Sequence, residues 1–253
     1  GEVVELGPEA RRFQVGDPVY FAGDRTRAGS YAEYVAVDER ITGHCPATLT
    51  DAQAAAVPLV ALTAWEGLLE TLAADRGDAG LGTRVCLIVG GAGGVGSLAI
   101  QIAKQVCGLT VVATASRLES AEYCRELGAD AVIDHTQPLA AQMRALGYAG
   151  ADYIFSTASL GGFSQWAAAL NPLGKICCIV GGPETTRLDV SPLFPLRGTL
   201  AFELMFTRPS TGVGLEEQGA ILDRVAGLLD GGHRAVVVRR AHEHAVALAD
   251  VDH

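Results

Sequence analysis

From Arg84 to Phe206 the sequence alternates short apolar runs with amphipathic stretches, and this alternation limits the possible folds more than any other feature. The apolar runs are continuous, as expected for parallel strands covered by helices on both faces. The predicted strands are Arg84–Val89, Thr110–Ala115, Ala131–Asp134, Asp152–Ser156, Lys175–Val180 and Thr199–Phe206. The predicted helices between the first five are Val95–Val106, Glu119–Leu127, Leu139–Leu146 and Phe163–Leu170. This spacing predicts a doubly wound α/β domain, followed by a helix at Leu215–Leu229 and a strand at Ala235–Val238.

The residues before this domain have a different character. Short apolar segments with glycine turns predict a small all-β piece. Its predicted strands lie within Gly1–Gly7, Val15–Phe21 and Ser30–Val37. Ala47–Leu72 is rich in Ala and Leu, with Thr50 and Asp51 as candidate N-caps, and predicts helices that link the two parts.

Composition excludes several classes of protein. With 19 Lys+Arg against 29 Asp+Glu, the net charge of −10 argues against a nucleic-acid partner or an anionic membrane surface. A hydrophobic content of 49% argues against disorder. The longest nearly uncharged stretch, Ala52–Trp65, contains Pro58 and is shorter than the roughly 20 residues of a spanning helix.

Cysteine usage and the start of the chain bear on the compartment. The chain opens in apolar alternation without an initiator Met or a signal-peptide pattern, as if entered within a domain. No two cysteines form a C-x-x-C pair, and most lie in apolar runs. They are Cys45, Cys86, Cys107, Cys124, Cys177 and Cys178. We therefore expect reduced core thiols and a cytoplasmic location.

A glycine-rich turn carries the strongest chemical signal. The segment Leu87–Ser97 contains G-x-G-x-x-G after an apolar strand and at the start of an apolar-periodic helix, the context that dinucleotide binding requires. The first glycine would permit the tight turn, the second the approach of a pyrophosphate, and the third close helix–strand packing. The alternative is a purely structural turn. The predicted phosphate-binding residues are Gly91, Gly93, Gly94, Val95 and Gly96.

The end of the second α/β strand distinguishes between dinucleotides. An Asp or Glu here would bind the ribose 2′-hydroxyl of NAD, but this chain has Thr114-Ala-Ser-Arg117. A hydroxyl from Ser116 and a guanidinium from Arg117 favour the 2′-phosphate of NADP. His135, after the third strand, is a further candidate for the adenosine phosphate or an isolated structural histidine.

Several motifs in order resemble the medium-chain dehydrogenase/reductases, most closely the zinc-type alcohol dehydrogenase-like and NADPH:quinone oxidoreductase-like branch. The resemblance covers essentially the whole chain. Besides the glycine turn and Thr114–Arg117, it rests on Val15–Val19, Ala54–Glu66, Leu127–Asp130, Val132–His135 and Glu203–Arg208.

The resemblance implies a Rossmann domain beside a partial GroES-like β domain, with the cofactor between them and a homodimer. The implied limits are residues 1–46 for the partial GroES-like β domain, 47–82 for the linking helices, 83–240 for the NADP-binding Rossmann domain and 241–253 for a return segment. Against the family the chain is expected to lack part of the β domain. Residues implied near the nicotinamide are Thr63, Val180, Gly181 and Gly182, and Phe206–Arg208 is implied near the cleft, with core packing as the alternative.

Departures from the zinc-dependent members predict that no metal is bound. Leu59 or an apolar neighbour stands where those members carry a cysteine ligand. Only Gly23–Ser30 separates two predicted strands, which leaves no room for a four-cysteine zinc lobe. His242 and His244 lack a third convergent ligand.

These features predict a zinc-independent oxidoreductase that transfers hydride from NADPH to a quinone or an α,β-unsaturated carbonyl, since such acceptors delocalise the developing charge and need less help than a plain ketone. The alternatives are a non-catalytic NADP-binding protein, an enoyl-reductase module and a zinc-dependent alcohol dehydrogenase. No catalytic residue is assigned. Tyr31 and Tyr34 are proton-donor candidates or strand-packing residues.

Overall fold

The apolar runs become strands in the computed structural model, which describes residues 1–75 and 84–231. The strands are β1 (Val19–Phe21), β2 (Thr42–His44), β3 (Val85–Val89), β4 (Thr110–Thr114), β5 (Ala131–Ile133), β6 (Ala151–Ser156), β7 (Leu170–Cys178) and β8 (Thr199–Phe202). The helices are α1 (Asp51–Ala55), α2 (Pro58–Trp65), α3 (Gly94–Gln105), α4 (Leu118–Glu126), α5 (Leu139–Ala145), α6 (Phe163–Ala168), α7 (Thr207–Thr211) and α8 (Leu215–Asp230), with a π-helical segment at Glu66–Thr71 and 3-10 turns at Glu39–Ile41, Leu160–Gly162, Pro183–Arg187 and Ser191–Leu193.

The chain divides into two units. The first comprises Gly1–Leu62 together with the residues from Met205 onward, and the second comprises Thr63–Leu204. This division places α8 with the first unit, whereas the sequence predicts it within 83–240. The predicted domain limits themselves stay a prediction.

The second unit contains a parallel sheet in the order β5-β4-β3-β6-β7-β8. This order confirms the predicted doubly wound fold, because the chain first adds strands on one side of β3 and then on the other. The central strand is apolar at all five positions, and all five are buried. The sheet reverses its order between β3 and β6, and the carboxyl ends of these strands are where ligands of such folds bind.

The strand ends differ from the sequence predictions in two places. Strand β7 begins at Leu170, five residues before the predicted Lys175, because Leu170 pairs with Ala151 ahead of an irregularity in register. The run after Leu170 looks like a turn in the sequence, and Leu173 indeed has φ of 65°. Strand β8 ends at Phe202 rather than Phe206, and it lies at one edge of the sheet.

In the first unit the predicted β segments are largely wrong. Ser30–Val37 forms no strand, and the partner of β1 is instead β2, in an antiparallel pair. Gly1–Gly7 contributes only an isolated bridge between Glu2 and Pro18. Alternation of apolar residues does not make a strand without a neighbouring backbone to pair with, and that neighbour cannot be read from local sequence.

The predicted N-cap of the linking helices is confirmed. The amide of Gln53 donates to Thr50 Oγ1 at 3.4 Å, and the Gln53 side chain accepts from the Thr50 amide at 3.0 Å. This reciprocal pair is a capping box at the start of α1. The predicted strand Ala235–Val238 lies outside the described residues.

Candidate functional site

The glycine turn connects β3 to α3, as predicted, but the left-handed residue is Gly90 rather than Gly91. Gly90 has φ of 81°, and its amide donates to Thr114 Oγ1 at 3.0 Å. Its carbonyl accepts from the amide of Gly93 at 3.1 Å. The sequence prediction assigned the tight turn to Gly91. The correction follows because only a residue without Cβ adopts this φ without strain, and Gly90 lies outside the G-x-G-x-x-G pattern.

Gly91 and Gly96 are required for close packing. A Cβ on Gly91 would lie 2.8 Å from Ala113 Cβ and 3.0 Å from Cys124 Sγ. A Cβ on Gly96 would collide with the carbonyl oxygen of Gly90. The predicted role of Gly96 in helix–strand packing therefore fits this geometry.

The start of α3 lies open at the surface. Gly93 is the N-cap and makes no side-chain cap, and both Gly93 and Gly94 are exposed, with Val95 half-buried. The first amides of a helix have no partner within the helix and carry a partial positive charge. This geometry suits an anionic group such as a phosphate.

The three residues that follow β4, Ala115 to Arg117, include a cation and no acid. Thr114 is buried, and its carbonyl accepts from the amide of Gly91 at 3.2 Å, which ties the glycine turn to this strand. Ser116 and Arg117 are exposed, and Arg117 is the N-cap of α4. Within residues 1–75 and 84–231, no acidic side chain forms an ion pair with the Arg117 guanidinium. It is therefore available to a ligand.

His135 lies in a loop whose conformation is fixed by hydrogen bonds between neighbouring residues. Gln142 Oε1 accepts from the amide of Asp134 at 2.9 Å, and Gln142 Nε2 donates to the Asp134 carbonyl at 2.8 Å. Asp134 Oδ1 accepts from the backbone and side chain of Thr136, and these hydrogen bonds hold the pKa of Asp134 below its ordinary value. His135 itself is exposed.

A cavity of about 250 Å³, here called the edge cavity, lies at the carboxyl ends of four parallel strands. Its lining residues are Val89, Gly90, Thr114, His135, Leu139, Ala158, Ser159, Gly162, Gln165 and Trp166. The cavity brings together Gly90 of the glycine turn, Thr114 at the end of β4 and His135. Of the predicted cofactor-binding residues only His135 is among its lining residues; those that do not line it include Gly91, Gly93, Gly94, Val95, Gly96, Ser116 and Arg117, and the predicted roles stay predictions. Gln165 and Trp166 were missed, because on α6 their spacing indicates only a helix that packs on the sheet.

The residues implied near the nicotinamide do not line the edge cavity. Thr63 is buried on α2, while Gly181 is exposed and Val180 and Gly182 are half-buried after β7. The Gly182 amide donates to Thr185 Oγ1 at 3.3 Å. The roles assigned to these four residues stay predictions.

The described cysteines and acids form no metal site. In residues 1–75 and 84–231, no three His, Cys, Asp or Glu side chains converge as metal ligands. Leu59 or an apolar neighbour is predicted to stand at the position of the family's zinc cysteine, and Leu59 is 44% exposed. All six cysteines are free thiols, and burial raises the pKa of Cys124 to about 11. His242 and His244 lie outside the described residues.

The two tyrosines named as proton-donor candidates are exposed rather than packed in a strand. Tyr31 is 94% exposed and Tyr34 is 74% exposed. Tyr31 lines a larger cavity of about 460 Å³ within the first unit, together with Phe21, Val37 and Phe206. No catalytic role can be assigned to either residue from this placement.

The strand order and the glycine turn define a nucleotide-binding α/β domain of the Rossmann type. Residues 94–211 match the family model described as "Zinc-binding dehydrogenase". A solved structure from Rhizobium etli CFN 42, provisionally assigned as a zinc-dependent alcohol dehydrogenase protein, is 39% identical to this chain. The match covers 100% of this chain and 76% of that chain, with a TM-score of 0.87. The chain belongs to the alcohol dehydrogenase-like family of the medium-chain dehydrogenase/reductases, a family of oxidoreductases.

Two curated relatives are also similar. A zinc-type alcohol dehydrogenase-like protein of Staphylococcus aureus (strain MSSA476) is 38% identical over 210 residues, which are 83% of this chain and 62% of the relative. The 2-methylene-furan-3-one reductase of Solanum lycopersicum is 41% identical over 145 residues, which are 54% of this chain and 35% of the relative. The chain therefore spans less than two thirds of the length of either relative. Among the helices described, none is both long enough and apolar enough to cross a membrane.

Proposed function

We propose that the protein is a zinc-independent oxidoreductase that uses NADPH to reduce a quinone or an α,β-unsaturated carbonyl. The observation that carries the choice of cofactor is the exposed guanidinium of Arg117 after β4, where an NAD-binding chain would place a carboxylate. Arginine matches phosphate oxygens with two parallel N–H donors. The hydroxyl of the exposed Ser116 adds a further donor beside it.

The glycine turn fits the pyrophosphate of this cofactor. A Cβ at Gly91 would collide with side chains of neighbouring elements, and a Cβ at Gly96 would collide with the turn itself. The backbone of the turn is therefore closely packed at these two positions. A Cβ on Gly93 would meet only the Gly90 carbonyl oxygen, at 3.4 Å, and Gly93 faces solvent. In this arrangement Gly93, Gly94 and Val95 would bind the pyrophosphate through the open end of α3.

The acceptor class follows from the residues at the position of the family's zinc ligand. Leu59 offers no donor atom there, and a carbonyl without a Lewis acid is harder to reduce. Conjugated acceptors spread the developing charge over several atoms and need less help. The name of the tomato relative describes an acceptor of this class, a conjugated enone, which supports the proposal.

In the proposed reaction the cofactor supplies the hydride, and the protein supplies binding and orientation. Arg117 and Ser116 would hold the 2′-phosphate, and the glycine turn would hold the pyrophosphate. Val180–Gly182 and Thr63 would orient the nicotinamide ring. A homodimer and a cytoplasmic location belong to the same proposal.

The cofactor choice is tested with Arg117→Ala and, as a matched control on the same helix, Arg125→Ala. Arg125 is also exposed but lies in the last turn of α4. We expect the Kd of NADPH to rise about 10- to 100-fold in the Arg117 variant, because a charge-assisted hydrogen bond contributes roughly 1.5–3 kcal/mol. The Kd of NADH should stay unchanged, as should both values in the Arg125 variant. Equal weakening of NADPH and NADH would contradict the proposal.

The acceptor class is tested by following NADPH oxidation with a panel of quinones, enals and simple ketones, each with and without a chelator. We expect turnover of the quinones and enals that the chelator does not change. Turnover of simple ketones or alcohols only with added zinc would overturn the proposal. Tight NADPH binding without turnover of any acceptor would instead favour a non-catalytic NADP-binding protein.

A further inference from the structure

The edge cavity contains a polar side chain that no step of the proposed function uses. Gln165 lies on α6, is half-buried and lines the cavity beside Leu139 and Trp166. The rest of the lining is mostly small or apolar, apart from Thr114, His135 and Ser159. A single amide in such surroundings is well placed to give orientation and specificity to an apolar ligand surface.

The orientation of the Gln165 amide is fixed by its neighbour. Its Oε1 accepts a hydrogen bond from the backbone amide of Leu139 at 3.2 Å, the first residue of α5. A backbone amide is a donor only, so the oxygen must face Leu139 and the NH₂ group must face away. Within the described residues, no protein acceptor takes the protons of Nε2.

The size and place of the cavity identify which part of a dinucleotide it suits. At about 250 Å³ it is smaller than the roughly 300–1,000 Å³ of pockets that take a whole drug-sized ligand. It is bounded by residues that follow β3, β4, β5 and β6, and Arg117 follows the same strand β4 as the lining residue Thr114. It therefore suits the base that is attached to the ribose whose 2′-phosphate Arg117 would bind.

We propose that the Gln165 carboxamide recognises the adenine base of the cofactor, an inference that rests on the proposed function. Nε2 donates to a ring nitrogen, and the second lone pair of Oε1 accepts from the 6-amino group. Glutamine and asparagine pair with adenine in this two-bond manner in other complexes. Trp166 and Leu139 provide the apolar wall against which the base packs.

The fixed amide makes this contact selective against hypoxanthine, in which an oxygen replaces the 6-amino group. That oxygen would face Gln165 Oε1, and two acceptors repel each other. Turning the amide over would restore the match, but it would place Nε2 against the Leu139 amide and leave two donors facing each other. Gln165 is thus a specificity-determining residue as well as a cap for α5.

The test separates these two roles with Gln165→Glu. The carboxylate still accepts from the Leu139 amide, so the cap on α5 is kept, but it has no proton to donate to a base. Gln137→Glu is the matched control, because it adds the same charge two residues before Leu139 at an exposed side chain outside the cavity lining. Thermal melting checks that both variants fold.

Calorimetric titrations compare adenosine 2′,5′-bisphosphate with inosine 2′,5′-bisphosphate. We expect the parent and the Gln137 variant to bind the adenosine compound about tenfold more tightly than the inosine compound. The Gln165 variant should bind both compounds about tenfold more weakly than the Gln137 variant does, because the carboxylate has no proton for the ring nitrogen, and it should still prefer adenosine, because its oxygen still accepts from the 6-amino group. Arg117→Ala should weaken both compounds and keep their ratio. No preference in the parent, or an unchanged affinity of the Gln165 variant for the adenosine compound, overturns this inference alone. Failure of the parent to bind either compound overturns the proposed function as well.

Discussion

The two units of the chain differ in what holds them together. In Thr63–Leu204 the strand β3 is entirely apolar and buried, and β4 and β6 are apolar and buried at most of their positions. In the first unit the paired strands have three residues each, and they are tied to α8 by polar contacts from far along the chain. Arg12 and His44 both contact Asp223, and the hydroxyl of Tyr20 donates to the Leu222 carbonyl at 2.7 Å.

This difference separates two sources of stability. Burial of apolar side chains contributes about 25 cal/mol per Å² and depends on tight packing. Polar contacts that are partly exposed contribute roughly 1 kcal/mol each, so several must act together. The first unit therefore depends on a few specific polar partners in addition to the buried apolar face of α8, and the second mainly on the shape of its core.

The largest expected effect is in the second unit, at Gly96. In Gly96→Ala the new methyl group would collide with the Gly90 carbonyl oxygen, and backbone cannot move aside as a side chain can. We expect the free energy of unfolding to fall by about 3 kcal/mol, at the upper end for overpacking. Urea unfolding measures the loss, and hydrogen exchange should locate it in β3 and α3.

Gly93→Ala is the matched control for Gly96. Its methyl group would lie 3.4 Å from the same carbonyl oxygen, an ordinary contact, and its φ of −76° suits any residue. We expect a change within about 1 kcal/mol, the cost of alanine at an N-cap. If the two variants lost equal stability, close helix–strand packing would not be what distinguishes this unit.

A smaller effect is expected in the first unit, at Asp223. Its carboxylate accepts from the His44 amide at 2.8 Å and from Arg12 at 2.8 Å. We expect Asp223→Ala to lower the free energy of unfolding by about 2 kcal/mol, discounted for the partial exposure of the group. Asp24→Ala is the control, because the Asp24 carboxylate accepts from the amide and hydroxyl of Thr26, two residues away, and makes a local contact instead of a distant one. Exchange should increase in β1 and β2 and remain unchanged in the six-stranded sheet.

The Asp223 contacts also predict a pH dependence. Burial alone would raise the pKa of Asp223, but hydrogen bonds from His44 and the charge of Arg12 outweigh it and hold the pKa below its ordinary value. A group whose pKa is lower in the folded state contributes stability above its unfolded pKa of about 3.9, and this stability is lost as the pH falls through the folded pKa. The parent and Asp223→Ala should therefore converge below about pH 4 in urea titrations. A difference in the free energy of unfolding that stayed constant down to low pH would contradict the role of the ionised carboxylate.

The smallest expected effect is that of Tyr20→Phe. Removing the buried hydroxyl deletes one hydrogen bond to α8 and leaves the ring in place. We expect a loss of about 1 kcal/mol in the free energy of unfolding. A loss as large as that of Gly96→Ala would show that one buried hydrogen bond matters as much in this unit as close packing does in the other, and the ranking of the two contributions would fail.

The same difference explains which parts of the fold could be predicted. Strands such as Val85–Val89 and helices such as Gly94–Gln105 can be predicted from the spacing of apolar residues within one segment. Their predicted ends are correct to within one or two residues. The partner of β1 could not be predicted, because Thr42–His44 carries no pattern of its own. Helix α8 was predicted as a helix, but nothing in its sequence shows that it packs on β2.

For the candidate site, spacing identified the glycine turn and Arg117 because each follows a strand whose position was predictable. Two features lay outside that reasoning. The residue with a left-handed backbone is Gly90, one position before the motif. This position requires glycine both because of its positive φ and because the Thr157 side chain would collide with a Cβ there. The place of Gln165 in the cavity could not be predicted, because it depends on the packing of α6 beside α5. No local sequence pattern specifies such a contact between elements.

The anchoring of the turn has a consequence for how fast and how tightly ligands bind. Thr114 Oγ1 accepts a hydrogen bond from the Gly90 amide at 3.0 Å, and Thr157 Oγ1 donates to the Val89 carbonyl at 2.9 Å, so residues at the ends of the strands on both sides of β3 hold the turn in shape. A loop that is already rigid loses little conformational entropy when a nucleotide arrives. Association should then proceed in a single kinetic step, and differences in affinity between nucleotides should appear mainly in their residence times.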